Sequence, residues 1–189
     1  MKIIAVTLGE PAGIGPDLGV LLAQKNLSKN IIFIADPDLL QISAKILKKS
    51  IKINILKNIS SKTIAGNKTI NVLPIKLNTK NKPGKLNPKN SAYVLDTIRA
   101  AAELCITGEI GAMVTGPISK SVLNKGGYKI SGHTEFLADI CKTKSVMMLM
   151  NSYMKVGLHT THVPLEYVKD YITQKSLIET INIVHKDLI

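Results

Sequence analysis

Val6-Thr7-Leu8-Gly9-Glu10-Pro11-Ala12-Gly13-Ile14-Gly15-Pro16-Asp17 is the stretch on which the fold turns. The apolar run from residue 2 to residue 8 reads as a buried strand, and it breaks at Gly9 into a turn containing three glycines. Glycine lets the backbone reverse sharply and approach a ligand closely. Pro16 and Asp17 then open a helix that runs to Lys25. Proline is pre-shaped for a first helical turn, and an acid there meets the positive end of the helix dipole. Strand, glycine turn and helix together form the repeating unit of an α/β domain. The spacing is not G-x-G-x-x-G and no Gly-Lys-Ser/Thr follows, so neither a standard dinucleotide turn nor a P-loop is indicated. A tight strand-to-helix connection explains the glycines as readily as an anion site at the helix N-terminus does.

Further along, strand and helix signals keep alternating. Ile31-Ile32-Phe33-Ile34-Ala35 is an apolar strand, and Asp36-Pro37-Asp38 starts a helix that runs to about Lys49. Ile51, Ile53 and Ile55 alternate with polar residues, which predicts a half-exposed strand, and another lies near 69–73. Residues 76–90 are polar and rich in turn formers, which predicts a surface loop. Ser91–Ile106 carries apolar positions at helical spacing. Short buried strands are expected at 112–114, 146–150 and 156–158. Thr173 caps an amphipathic helix to Ile189 whose last residues are still in pattern, as though the chain stopped inside or just after a helix. No internal repeat or clear domain boundary stands out, so no internal boundary is assigned within residues 1–189.

Composition narrows the function classes. The chain is 45% hydrophobic but only 4% aromatic, with no Trp, so its core is aliphatic. No apolar run reaches the roughly 18 residues of a membrane span, and residues 1–8 are too short for a signal segment. This predicts a cytoplasmic protein with no membrane partner. The formal charge of +12 invites a nucleic-acid reading, but Lys and Arg total 25 and Arg99 is the single arginine. Nucleic-acid readers favour arginine for bidentate contacts, so no nucleic-acid partner is expected. Cys105 and Cys141 have no motif spacing and read as buried thiols.

Three further segments carry chemistry. Thr115-Gly116-Pro117-Ile118-Ser119-Lys120 follows a strand, and ligands in open α/β sheets sit beyond the carboxyl ends of strands. Lys120 can reach such a crevice, although solvation is the fate of most lysines here. Ser131-Gly132-His133-Thr134-Glu135-Phe136 places an imidazole, a hydroxyl and a carboxylate at a helix start. His133 and Thr134 could donate to phosphate or carboxylate oxygens, or simply cap the helix, and Glu135 suits a first turn. His159-Thr160-Thr161-His162-Val163-Pro164 holds two histidines three apart, which suggests a metal site. Along a strand, positions i and i+3 face opposite ways, so one ligand is expected rather than both. His185, beside Lys186, reads as exposed.

In order and spacing, the Gly-Glu-Pro-Ala-Gly-Ile-Gly-Pro turn, Thr-Gly-Pro with Lys120, Gly-His-Thr-Glu-Phe and Thr-Thr-His-x-Pro-Leu resemble the 4-hydroxythreonine-4-phosphate dehydrogenase family across essentially all 189 residues. The resemblance implies a two-lobed α/β subunit similar to isocitrate and isopropylmalate dehydrogenases, here truncated, working as a homodimer without a standard Rossmann domain. It implies that His133 and Thr134 bind a small phosphorylated amino-acid substrate, that His162 binds a divalent metal (Zn, Mg or Co), and that His159 does not. It also implies NAD as cofactor, with 4-phosphooxy-L-threonine oxidised and decarboxylated in pyridoxal 5′-phosphate (vitamin B6) synthesis. The family's remaining metal, substrate and NAD ligands have no counterpart in these 189 residues, and neither catalytic nor NAD-binding residues can be assigned. Two rivals are a sister enzyme for threonate or erythronate 4-phosphate and a non-catalytic remnant.

Overall fold

The computed structural model describes residues 2–27, 29–130 and 132–189, and its contacts divide into two compact units, Met1–Cys141 and Lys142–Ile189. The larger unit begins with β1 (Ile4–Thr7), α1 (Gly15–Ala23), β2 (Asn26–Leu27), β3 (Ile31–Ala35), α2 (Pro37–Ile46) and β4 (Lys52–Ile55). It continues with β5 (Gly66–Asn67), β6 (Thr69–Pro74), α3 (Ser91–Ile106), β7 (Ala112–Thr115), α4 (Lys120–Lys125) and α5 (His133–Cys141). The main sheet runs β4-β6-β3-β1-β7 with every pairing parallel, and β2 and β5 form a separate two-residue antiparallel pair.

β3 sits at the centre, which explains its unbroken apolar run: a strand covered on both faces has no solvent side to alternate with. Phe33 and Ala35 join Leu8, Val20 and Leu40 in one core layer, while Ile32 and Ile34 join Ala5, Leu56 and Ala101 in the opposite layer. α1 and α2 supply the first layer and α3 the second. A third cluster centres on Tyr93, Leu95, Ile98 and Leu123, with Phe136 and Leu137 of α5 packed against it. Arg99 lies over the Phe136 ring at 5.6 Å, further joining α3 to α5.

Helix starts follow the caps read from sequence. Pro16 occupies the first turn of α1, and Asp17 there accepts from the Ser43 hydroxyl of α2. Asp36 caps α2 by accepting from the Asp38 amide at 2.8 Å, and its other oxygen accepts from the Leu77 amide at 2.9 Å. Lys76 lies 3.5 Å from Asp36 and 2.8 Å from Asp38. Asp36 is buried, so losing its carboxylate strips partners from two amides at once. Asp36→Ala is expected to destabilise the protein by about 2–3 kcal/mol, read as a lower urea midpoint. An unchanged midpoint would show that water replaces both bonds.

Several expectations are corrected. β7 is half-exposed rather than buried, because among the described residues it pairs only with β1 and ends the sheet. Loop 76–90 lies at the surface as expected, with only Asn90 buried, but it is tied to the unit by hydrogen bonds. Asn78 accepts from the Tyr93 amide, buried Asn90 accepts from Thr79, and a 3-10 turn covers Pro88–Asn90. Cys105 is half-buried and Cys141 exposed, both as free thiols.

The smaller unit contains β8 (Met147–Met150), β9 (Lys155–Leu158), α6 (Val168–Tyr171) and α7 (Gln174–Leu188). β8 and β9 pair antiparallel and are largely exposed, not buried as expected, since a two-stranded ribbon with a single long helix and one short one leaves most of its surface uncovered. Thr173 caps α7 in a reciprocal box with Ser176. No described helix is long and apolar enough to cross a membrane.

Candidate functional site

Two loops meet where β1 and β7 end. The Gly116 amide donates to the Thr7 carbonyl at 2.7 Å, and the Glu10 amide donates to the Pro117 carbonyl at 2.9 Å. Such close backbone approach explains the glycines. A Cβ on Gly9 would lie 2.2 Å from the Pro117 oxygen, and one on Gly116 would lie 2.5 Å from the Leu8 oxygen. Gly9 also has φ +71°, where side chains are strained. The glycine turn is thus a packing joint between neighbouring strand ends.

Loop 76–90 braces this joint from the other side. Asn81 donates to the Pro11 carbonyl at 2.7 Å, and the Gly84 amide donates to Ala12 at 2.9 Å. Inside the turn, the Glu10 carboxylate is 6% exposed and accepts from the Ala12 amide at 3.1 Å. Burial holds its carboxyl above the ordinary range, and the amide partly opposes that. Sequence reading gave Glu10 no role, because burial of a turn residue leaves no local signal.

α5 brings the His-Thr pair to the same end of the sheet. His133 is its first residue, and the ring lies against the Gly116 backbone. Burial lowers the proton affinity of the ring. The hydrogen bond at Gly116 opposes this, and the Lys120 charge adds to the lowering. Its Nε2 is buried with no hydrogen-bond partner among the described residues, as are Thr7 Oγ1 and Asn90 Nδ2. Thr134 is exposed beside it. Lys120 begins α4, and its Nζ lies 3.4 Å from where a Gly132 Cβ would stand. The structure therefore gathers the glycine turn, Thr115–Lys120 and Gly132–Thr134 in one place. Ser131 of that block lies outside the described residues.

The two other histidines of interest lie in the smaller unit and have different surroundings. His159 Nδ1 is 2.8 Å from Thr180 Oγ1 and its Nε2 is 3.2 Å from Ser176 Oγ, so both nitrogens are engaged by α7. His162 is exposed at φ +59° and has no side-chain partner among the described residues. Among the described residues no three His, Cys, Asp or Glu groups gather as a metal would require. His185 is exposed.

Loops collected at one end of a parallel sheet, beyond which ligands sit in open α/β folds, define the class, an α/β domain. The chain belongs to the pyridoxal phosphate biosynthetic protein PdxA family, whose model matches residues 27–189. The 4-hydroxythreonine-4-phosphate dehydrogenase of Saccharophagus degradans is 44% identical over 187 residues, 98% of this chain and 56% of that one. The Methylococcus capsulatus protein of the same name is 40% identical over 188 residues, with the same coverage of both chains. The crystal structure of the Klebsiella pneumoniae 4-hydroxythreonine-4-phosphate dehydrogenase superposes with a TM-score of 0.91 at 28% identity, over 100% of this chain and 59% of that one. The chain thus spans a little over half the length of these relatives.

Proposed function

We propose that this chain forms the substrate-binding portion of an NAD-dependent dehydrogenase that oxidises and decarboxylates 4-phosphooxy-L-threonine to 3-amino-2-oxopropyl phosphate in pyridoxal 5′-phosphate synthesis, in the cytoplasm and as a homodimer. The observation that carries the reading is the convergence of Lys120, His133 and Thr134 at the carboxyl ends of β1 and β7, in a chain whose relatives bear that enzyme's name.

The residues present supply binding and orientation. His133, whose Nε2 has no hydrogen-bond partner among the described residues, can engage a polar group of the substrate, and the Thr134 hydroxyl can donate a hydrogen bond to a substrate oxygen. His133 is held against the Gly116 backbone of the joint, so little order must be gained at its ring on binding. The nicotinamide, when bound, accepts the hydride, and no residue here is assigned to it. Catalytic zinc sites generally use three protein ligands. The described residues gather no such set, so they do not by themselves fit the metal site that the family implies. His162 is proposed as this chain's single contribution to it.

The test is made in a chain extended to the length of its relatives, with NADH formation followed optically. Thr134→Val keeps the side chain's shape and removes its hydroxyl. It is expected to raise KM for 4-phosphooxy-L-threonine about tenfold while KM for NAD stays unchanged. An unchanged substrate KM would remove Thr134 from the site. Preference for threonate 4-phosphate over the amino acid would favour the sister enzyme.

A further inference from the structure

We propose that Lys120 is the cationic contact for an oxyanion of the substrate, held across Gly132 beside the His133 ring. The proposal rests on the substrate-binding reading of His133 and Thr134 and adds a residue which that reading does not contain.

The placement follows from backbone geometry. Lys120 follows the loop that leaves β7 at the carboxyl end of the sheet, the side on which ligands sit in such folds. Its Cε and Nζ pass 3.3 and 3.4 Å from the point a Gly132 Cβ would occupy, so any side chain at 132 would push the ammonium away. Like most lysines of this chain, Lys120 has no acid at ion-pair distance among the described residues; what sets it apart is its position across Gly132. Its charge is nonetheless felt at His133, whose Nε2 is the neighbouring buried atom without a partner. The Lys120 ammonium and the His133 ring thus flank one backbone position that has no side chain.

The start of α5 would otherwise be the obvious anion site, but the protein already answers it with its own acid. Glu135, in the first turn, turns its carboxylate back to 3.1 Å from the same Gly132 point. This carboxylate meets the helix dipole and repels an incoming anion. Lys120 is therefore the group left to offset that repulsion. An ammonium is a compact point charge that takes phosphate or carboxylate oxygens without a fixed geometry. The substrate class carries both groups, and the shared chemistry is the oxyanion.

The experiment is an NMR titration of residues 1–189 with inorganic phosphate and, separately, with acetate. The Gly132 amide and His133 ring signals are followed. The wild-type signals are expected to shift saturably. Lys120→Gln should weaken binding about tenfold, the loss of one hydrogen bond to a charged group. Lys120→Arg should retain most of it, and Glu135→Gln should tighten it. A structural role for Lys120 would not predict the opposite response at Glu135. Binding of phosphate alone or acetate alone, lost in Lys120→Gln, supports the proposal and says which group the lysine takes. Equal binding by wild type and Lys120→Gln, with weaker binding by Thr134→Val, overturns the proposal and leaves the His133–Thr134 site standing. No shift with either anion overturns it as well, and the KM of Thr134→Val then decides the site independently.

Discussion

Gly15→Ala is expected to lower the stability of the larger unit by roughly 3 kcal/mol or more, the range of severe overpacking. A Cβ on Gly15 would stand 1.7 Å from the Leu8 carbonyl oxygen and 2.8 Å from its carbon. These are backbone atoms at the end of β1, whose neighbours β3 and β7 hold it on both sides. They cannot swing away as a flexible side chain could. The start of α1 would have to move instead, and with it Val20 and Ala23, which belong to the core. A domain is stable by only about 5–15 kcal/mol, so much of the folded state is at stake. Gly84→Ala is the comparison. Its Cβ would meet nothing within 4 Å, and only its φ of +73° would be strained, costing about 1 kcal/mol. Urea unfolding followed by circular dichroism separates the two. Equal midpoints would show that the β1–α1 joint relaxes freely.

His162→Asn, in a chain extended to the length of its relatives, is expected to lower metal-dependent turnover by at least about a hundredfold, since loss even of groups that only support a ligand costs 10–100-fold. Asparagine is chosen because position 162 has φ +59°, a left-handed conformation that asparagine tolerates and alanine does not. The side chain is exposed, so folding should be little affected. His159→Ala should behave oppositely. Its ring bridges Thr180 and Ser176, tying β9 to α7. Removing it should destabilise the smaller unit by about 1–2 kcal/mol while metal affinity changes little. Metal affinity by calorimetry, measured beside thermal unfolding, reads both effects. A parallel loss of metal binding in the two variants would mean that the Thr-Thr-His segment contributes both rings, or that His162 was the wrong choice.

Elements whose signals are local were legible. Ile31–Ala35 and Ser91–Ile106 have the bounds expected, because an apolar run and a helical period are properties of consecutive residues. α4 escaped notice: it is six residues long, and its N-cap Ser119 makes no capping bond. The polar loop 76–90 reads as a surface loop and is one, but its ties to the unit are not legible, because Asn78, Asn81 and Asn90 look alike whether they bond water or a distant backbone. All three bond protein, and Asn90 is buried while doing so. β7 looked like an interior strand because Ala112-Met113-Val114 is apolar; composition does not say how many neighbours a strand has.

The sequence by itself determined the alternation of strands and helices, the caps at Asp36 and Thr173, and the segments holding Lys120, His133, Thr134 and His162. These depend on backbone preferences and side-chain chemistry within a few residues of each other. Only the tertiary structure decided which segments share a site. The approach of Gly116 to Leu8, of Lys120 to Gly132, and of loop 76–90 to Pro11 and Ala12 joins residues up to about a hundred positions apart. It also decided that His159 is a structural link while His162 is exposed. Such contacts arise from parallel strand order and the packing of helices on both sheet faces, and a parallel sheet pairs strands only across long crossovers. No stretch of neighbouring residues encodes that pairing, because it is set by how all the apolar faces are buried together.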